Sequence, residues 1–302
     1  MTSLVMDIQA EFRGDIRRAE PMFRHTSWRI GGPAECYLIP ADVQDLRALL
    51  RVLDRKNVPW IVVGNGTNLL VGDEGVSGAV ISLERLDSCE IDPAGKVRVE
   101  AGMSLQTLVK NTVARGLTGL EDLIGIPGTV GGALVMNAGA GTAEIGTLVE
   151  TVTLLDGDNL VTLMADAIDF SYRSSGLSDR GVLISADLML SHGDCDQLQT
   201  RCQDLLEKRR TVQKVEGPHA GSVFKNPPQQ SAWQLIDAVG LRGRVCGAAM
   251  ISEVHCNHIV NLGEATAADV LDLMALVQKR VQERTGIVLE PEVHLVGCEV
   301  PL

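Results

Sequence analysis

The chain has 302 residues, more than one compact core usually holds, so two or three lobes are expected. Apolar residues make up 45% and charged residues 22%, the composition of a soluble globular protein, and there is no run of about 18 apolar residues to cross a bilayer. The net charge of −12 argues against nucleic acid as a partner, because phosphate backbones demand basic surfaces. The first twenty residues carry acids and arginines and no apolar h-region, so no signal peptide is expected and the cytoplasm is the expected compartment. The seven cysteines are scattered, with no C-x-x-C pair, and read as free thiols.

In chain order, residues 42–56 place Val43, Leu46, Leu49, Leu50 and Leu53 at helical spacing behind Asp42 as N-cap. The run 60–63 reads as a strand, Gly64-Asn65-Gly66-Thr67-Asn68 as a tight loop, and 69–71 as a return to apolar chain. A strand is expected at 97–101. A helix capped by Ser104 follows, through Leu105, Leu108, Val109 and Val113, and closes at Gly116. Strands are expected near 149–155, 160–164 and 182–190, and a helix at 196–210. That helix ends in Lys208, Arg209, Arg210 and Lys214, with Gly217-Pro218 beyond, a pattern suited to a lobe boundary. Helices near 231–239 and 266–285, the second stopping at Gly286, and a strand at 293–296 complete an α+β (α/β) chain.

Several chemistries are missing. There is no P-loop and no G-x-S-x-G elbow, and Leu69 stands where a dinucleotide fingerprint needs its third glycine. His255, Cys256 and His258 lack a fourth ligand at metal-site spacing. In the strand expected there the two histidines face opposite sides, so no metal is expected. Two segments remain, Gly64–Val71 and Gly125–Gly141, both rich in glycine and free of charge. Backbone N–H groups in such segments can turn inward on a diphosphate. Glycine turns in a packed sheet explain the same composition, and both readings stand on composition alone.

Six segments occur in order: TSWRIGGPAE from Thr26, GNGTNLLV from Gly64, GIPGTVGGALVMNAGA from Gly125, SYRSS from Ser171, GSVFKNP from Gly221 and LEPEV from Leu289. Together they closely resemble the UDP-N-acetylenolpyruvoylglucosamine reductase family, and the shorter, second form of it, because the chain runs from Tyr172 into a strand without a long insertion. The resemblance implies a PCMH (vanillyl-alcohol-oxidase) type FAD-binding fold of two lobes, 1–83 and 84–203, with a substrate lobe at 204–302. It implies FAD as cofactor, NADPH as hydride donor and a nucleotide-sugar substrate whose enolpyruvyl ether is reduced to UDP-N-acetylmuramate. A monomer or weak oligomer is expected, with no membrane partner. By the same likeness Gly64, Asn65, Gly66, Thr67, Asn68, Leu69, Gly125, Ile126, Pro127, Gly128, Gly131, Gly132, Asn137 and Gly139 hold the cofactor.

The resemblance also assigns the chemistry. Arg173 would polarise the substrate carboxylate, a task suited to a permanently charged planar fork. Ser222 would donate the proton, which a weakly acidic hydroxyl does only with neighbours that help. Glu292 would order or relay, with Glu290 the less favoured alternative on the same face of a strand. Lys225, Asn226 and Asn257 match substrate positions. The sequence departs from the family at His258, where an aromatic is commoner. Arg242 and Arg244 are further candidates for the diphosphate on charge alone. Taken singly, each catalytic residue also reads as an ordinary surface arginine, turn serine or strand carboxylate. Another PCMH-type oxidase or dehydrogenase of a small hydroxy acid shares the glycine loops without needing all three residues, and a non-catalytic nucleotide-sugar binder is the remaining alternative.

Overall fold

The computed structural model describes residues 2–141, 143–212 and 215–301, so Lys214 of the basic cluster lies outside the described residues. The chain forms two compact units. The first contains Met1–Arg17, Tyr37–Gly64 and Ala79–Arg210, and the second contains Arg18–Cys36, Asn65–Gly78 and Thr211–Leu302.

The first unit is built on a five-stranded antiparallel sheet in the order Asn159–Met164, Val149–Asp156, Val182–Met189, Lys96–Glu100, Cys89–Ile91. The strand Lys96–Glu100 shows why it forms: Val97 and Val99 are wholly buried while Lys96, Arg98 and Glu100 alternate outward. Arg98 pairs across the sheet with Asp187 through two bonds of 2.8 and 3.0 Å. Helix Leu105–Val113 starts where Ser104 accepts from the Thr107 N–H, and it buries Leu105, Leu108, Val109 and Val113. Helix Val43–Arg55 starts at Asp42, whose carboxylate accepts from Asp45. Its buried Asp45 accepts in turn from the Arg13 and Ala41 N–H groups, so its lost solvation is replaced. The segment expected as one long glycine loop contains a short helix, Val130–Val135, capped by Thr129.

In the second unit a three-stranded antiparallel sheet, Val245–Cys246, Ala249–Ile251 and Ile259–Asn261, packs with helices Ala232–Ala238 and Ala267–Thr285. Thr266 opens the long helix with a reciprocal capping box, and both oxygens of Asp73 accept from its first N–H groups, Ala267 and Ala268. Gly286 ends it at φ 75, in the left-handed region. Leu69–Val71 pairs parallel with His294–Val296. The core of this unit includes Trp28, Ile30, Leu70, Phe224 and Val293. Trp28 is fully buried and gives its indole N–H to the Ile259 carbonyl at 2.7 Å, so this part of the segment from Thr26 serves packing.

One local reading is corrected. His255 and His258 lie in a turn between Ala249–Ile251 and Ile259–Asn261, not in a strand. Ser252 Oγ accepts from the Val254 and His255 N–H groups and bends the chain, and the two rings face each other 4.4 Å apart instead of pointing to opposite sides.

Candidate active site

In the first unit the two glycine segments meet. A Cβ at Gly64 would stand 2.6 Å from the Thr129 hydroxyl oxygen, so only glycine lets these chains approach. Thr129 Oγ1 accepts from the Gly132 N–H, and the Gly131 N–H donates to the Ala101 carbonyl at 2.8 Å. A Cβ at Gly131 would press on Ala101, and one at Gly139 would lie 2.5 Å from the Ala143 carbonyl. At 131 and 132 the N–H donors thus have partners within the protein. Those donors serve the fold, and the glycines permit close packing. The Ile126 N–H likewise donates to Leu123. Arg209 lies against Gly125, where an added Cβ would meet its Nη1 at 2.9 Å, and desolvation lowers the pKa of its guanidinium. In the sequence Arg209 stands only within a basic cluster, with nothing to tie it to Gly125.

Arg173 sits on a two-residue turn. The Ser171 and Ser174 main chains exchange bonds of 2.9 and 3.1 Å, and Arg173 itself has φ 57. A non-glycine residue there costs roughly 1 kcal/mol or more, a strain that surrounding structure must hold. Two side chains hold it. Asn137, 1% exposed, donates to the Ser171 carbonyl and to Glu144, and accepts from the Gly146 N–H. The Ser175 hydroxyl donates to the Val135 carbonyl at 2.9 Å. The Asn137 amide is thus engaged with the turn that carries the arginine. The Arg173 guanidinium carbon lies 5.0 Å above the Tyr172 ring.

In the second unit Ser222 and Glu292 are brought together by main chain. The Glu292 N–H donates to the Val223 carbonyl at 2.7 Å, the Lys225 N–H donates to the Glu290 carbonyl at 2.9 Å, and Phe224 bridges Pro291 antiparallel. Asn68 joins them: its Nδ2 donates to the Glu292 carbonyl and its own carbonyl accepts from the His294 N–H. Gly66 holds the other end of that loop at φ 59, where any Cβ would collide with the His25 carbonyl. Within this unit, Asn65, Gly66, Thr67, Asn68 and Leu69 therefore lead directly to the carboxylate segment. Glu290 and Glu292 part company here. Glu290 is 70% exposed along its side chain and bonded at 2.6 Å to Lys225, while Glu292 is half-buried. Asn257 is buried and uses its amide on Phe224, accepting from the N–H at 3.0 Å and donating to the carbonyl at 2.8 Å. Its side chain thus clamps the loop that carries Phe224. Asn226 Oδ1 accepts from the Ala232 N–H at the start of helix Ala232–Ala238. Arg242 is committed as well, to Asp237 and to the Glu253 and Val254 carbonyls, which removes it as a diphosphate candidate. No cluster of three or more metal-ligating side chains occurs among the described residues.

Comparison with known proteins bears on the same segments. Residues 213–296 match the family profile described as UDP-N-acetylenolpyruvoylglucosamine reductase, C-terminal domain, and residues 34–162 match an FAD binding domain. The UDP-N-acetylenolpyruvoylglucosamine reductase of Syntrophotalea carbinolica is 46% identical over 93% of this chain and 94% of its own. That of Geobacter metallireducens is 47% identical over 97% of each. This chain belongs to the UDP-N-acetylenolpyruvoylglucosamine reductase family. The crystal structure of the Thermus caldophilus reductase covers 94% of this chain and 99% of its own at 35% identity, with a TM-score of 0.79. An alkyldihydroxyacetonephosphate synthase, 16% identical with a TM-score of 0.50 over 64% of this chain, shares the fold alone. The reductase fold is thus an FAD-binding domain of PCMH type followed by the family's C-terminal domain. The residues present fit FAD in one respect: in the first unit the close approach of Gly64 to Thr129 brings the two glycine segments together with no side chain at residue 64 between them.

Proposed function

We propose that the protein reduces the enolpyruvyl ether of UDP-N-acetylglucosamine to UDP-N-acetylmuramate, using FAD and NADPH, in the synthesis of peptidoglycan precursors. The observation that carries the reading is the pairing of Ser222 with Glu292 by the main-chain bond from Glu292 to Val223, in a chain that keeps the family's Arg173 turn. FAD, once reduced by NADPH, supplies hydride to the enolpyruvyl double bond. Arg173 binds the substrate carboxylate and draws off the negative charge that develops as hydride arrives. Ser222 delivers a proton to the substrate carbon adjacent to that carboxylate. Glu292, on the neighbouring segment, orders the hydroxyl and helps return its proton. Lys225, beside Glu290, is available to exchange that carboxylate for a substrate phosphate. Asn257 holds the loop that presents Ser222, and Asn137 holds the turn that presents Arg173.

We assign the sugar nucleotide to the C-terminal lobe, 204–302, and the flavin to the residues before it, 1–83 and 84–203, which the two profile matches support. We place the enzyme in the cytoplasm as a monomer or weak oligomer. No described helix is long and apolar enough to cross a membrane. The test is a visible spectrum of the purified protein followed by two additions. NADPH should bleach the flavin bands, and the enolpyruvyl nucleotide sugar should restore them anaerobically. A bleached flavin that the sugar does not reoxidise refutes the proposal.

A further inference from the structure

The loop at residues 252–258 touches the Ser222 segment on both sides. After Ser222, the Asn257 carbonyl accepts from Val223 at 2.8 Å and its side chain clamps Phe224. Before Ser222, the ring of His258 stacks on the ring of His219, with centroids 4.9 Å apart and planes 24° from parallel. His258 is 5% exposed. Its main chain is bonded to Ser252 and His255, and its ring centroid lies 4.4 Å from that of His255, so it is a fixed platform. His219 passes that order to the catalytic segment, because its Nδ1 accepts the Gly221 N–H at 3.0 Å.

The chemistry of that bond is determined. A main-chain N–H only donates, so Nδ1 carries no proton, and the hydrogen of the neutral ring is on Nε2. The bond runs from a side chain to the main chain two residues on, the arrangement by which Asn, Asp and Ser close turns. Gly221 needs such a restraint. It has φ 77, and nothing lies within 4 Å of where its Cβ would be, so packing does not define the peptide leading into Ser222.

We propose that His219 is a positioning residue for Ser222: its imidazole closes the turn at Gly221 and aims the serine hydroxyl, with His258 as the platform for its ring. The proposal rests on the reading of Ser222 as proton donor. The run of imidazoles from His219 through His258 to His255 thereby acquires a role.

The experiment measures both half-reactions by stopped flow on the FAD-loaded full chain. His219→Ala should slow flavin reoxidation by the enolpyruvyl sugar roughly 10- to 100-fold, the scale of a small misplacement of a reacting group. Reduction by NADPH should be unchanged, and in steady state kcat should fall with KM nearly constant. His219→Asn, whose Oδ1 accepts the same N–H, should restore most of the rate, and His258→Ala should fall between. The proposal is overturned if Asn is as slow as Ala at position 219, or if both half-reactions slow together. It is also overturned if His219→Ala reoxidises at the wild-type rate while Ser222→Ala does not, a result that leaves the Ser222 reading intact. A Ser222→Ala variant with full activity removes that reading, and the positioning role with it.

Discussion

In the first unit Arg173 stands at φ 57 on a two-residue turn whose base is gripped by two buried side chains, Asn137 and Ser175. In the second unit Ser222 and Glu292 stand on adjacent extended segments joined chiefly by main-chain bonds, with Asn257 and Asn68 at the margins. The arginine turn holds strain and depends on single side chains. The serine and glutamate segments are paired by a few main-chain bonds around one isolated bridge, while the aim of the serine itself also draws on the side chains of Asn257 and His219. The difference teaches where each half of the chemistry is fragile. Removing a supporting side chain should disturb the arginine more than the pairing of serine with glutamate, whereas removing a reacting group should be costly in either unit.

The largest expected effect comes from the reacting group itself. Ser222→Ala should slow the substrate half-reaction by roughly 10²- to 10⁴-fold, the range for loss of a positioned proton donor, and leave reduction by NADPH intact. Equal slowing of both halves in stopped-flow traces removes Ser222 from that role. Next, Arg173→Lys keeps the charge but loses the planar fork, and it should lower kcat/KM on the order of 10²-fold. Wild-type turnover in this variant would mean that two-point binding of the carboxylate is the wrong account. Asn137→Ala tests the supporting side chain. It leaves the Gly146 N–H without its side-chain acceptor and takes one of two donors from the Ser171 carbonyl, which keeps its bond from Ser174, a loss of about 1–3 kcal/mol in stability, readable in urea melts. It should also raise KM for the sugar, because the strained turn loses its grip. A variant with unchanged stability and KM would erase the contrast between the two units.

The smallest effect lies in the sheet of the first unit. Hydrogen bonding to Arg98 holds the buried Asp187 carboxyl below its usual pKa. The sign follows from linkage: a depressed folded-state pKa contributes stability above the unfolded value, near 4, that is lost as pH falls through the lower folded value. Arg98 is largely exposed, so the pair is screened and its contribution should stay within about 1 kcal/mol. Arg98→Ala should lower stability at pH 7 slightly and flatten its decline below about pH 4 in denaturation series. A decline as steep as that of the wild type would assign the acid sensitivity to other carboxylates.

Much of the local structure was legible. Helix Val43–Arg55 behind Asp42, strand Trp60–Val63, helix Leu105–Val113 behind Ser104, and helix Ala267–Thr285 ending at Gly286 follow from apolar spacing and capping chemistry. The turn at 252–258 was not, because Ile251, Val254, Cys256 and Ile259 mimic a strand, and only the bonds to Ser252 Oγ reveal the bend. Asn137 was placed as a ligand contact because a short amide in a glycine-rich segment suits a ligand, and Asn257 because the resemblance puts it at a substrate position. The pattern carries no sign that their partners are Ser171 and Phe224, distant in sequence. His219 had a faint signal, a polar side chain two residues before a glycine, the spacing of a side-chain-closed turn.

By itself the sequence determined what depends on neighbours along the chain: the helices, their caps, the glycine segments, and the ordered motifs that mark the family. Tertiary structure decided which polar groups remain available for chemistry. A buried donor or acceptor must find a partner, and the partner is chosen by proximity in space, so Arg242, Asn137, Asn257 and the N–H groups of Gly131 and Gly132 went to the fold. The same rule of obligatory pairing set Ser222 beside Glu292 and closed the turn at His219.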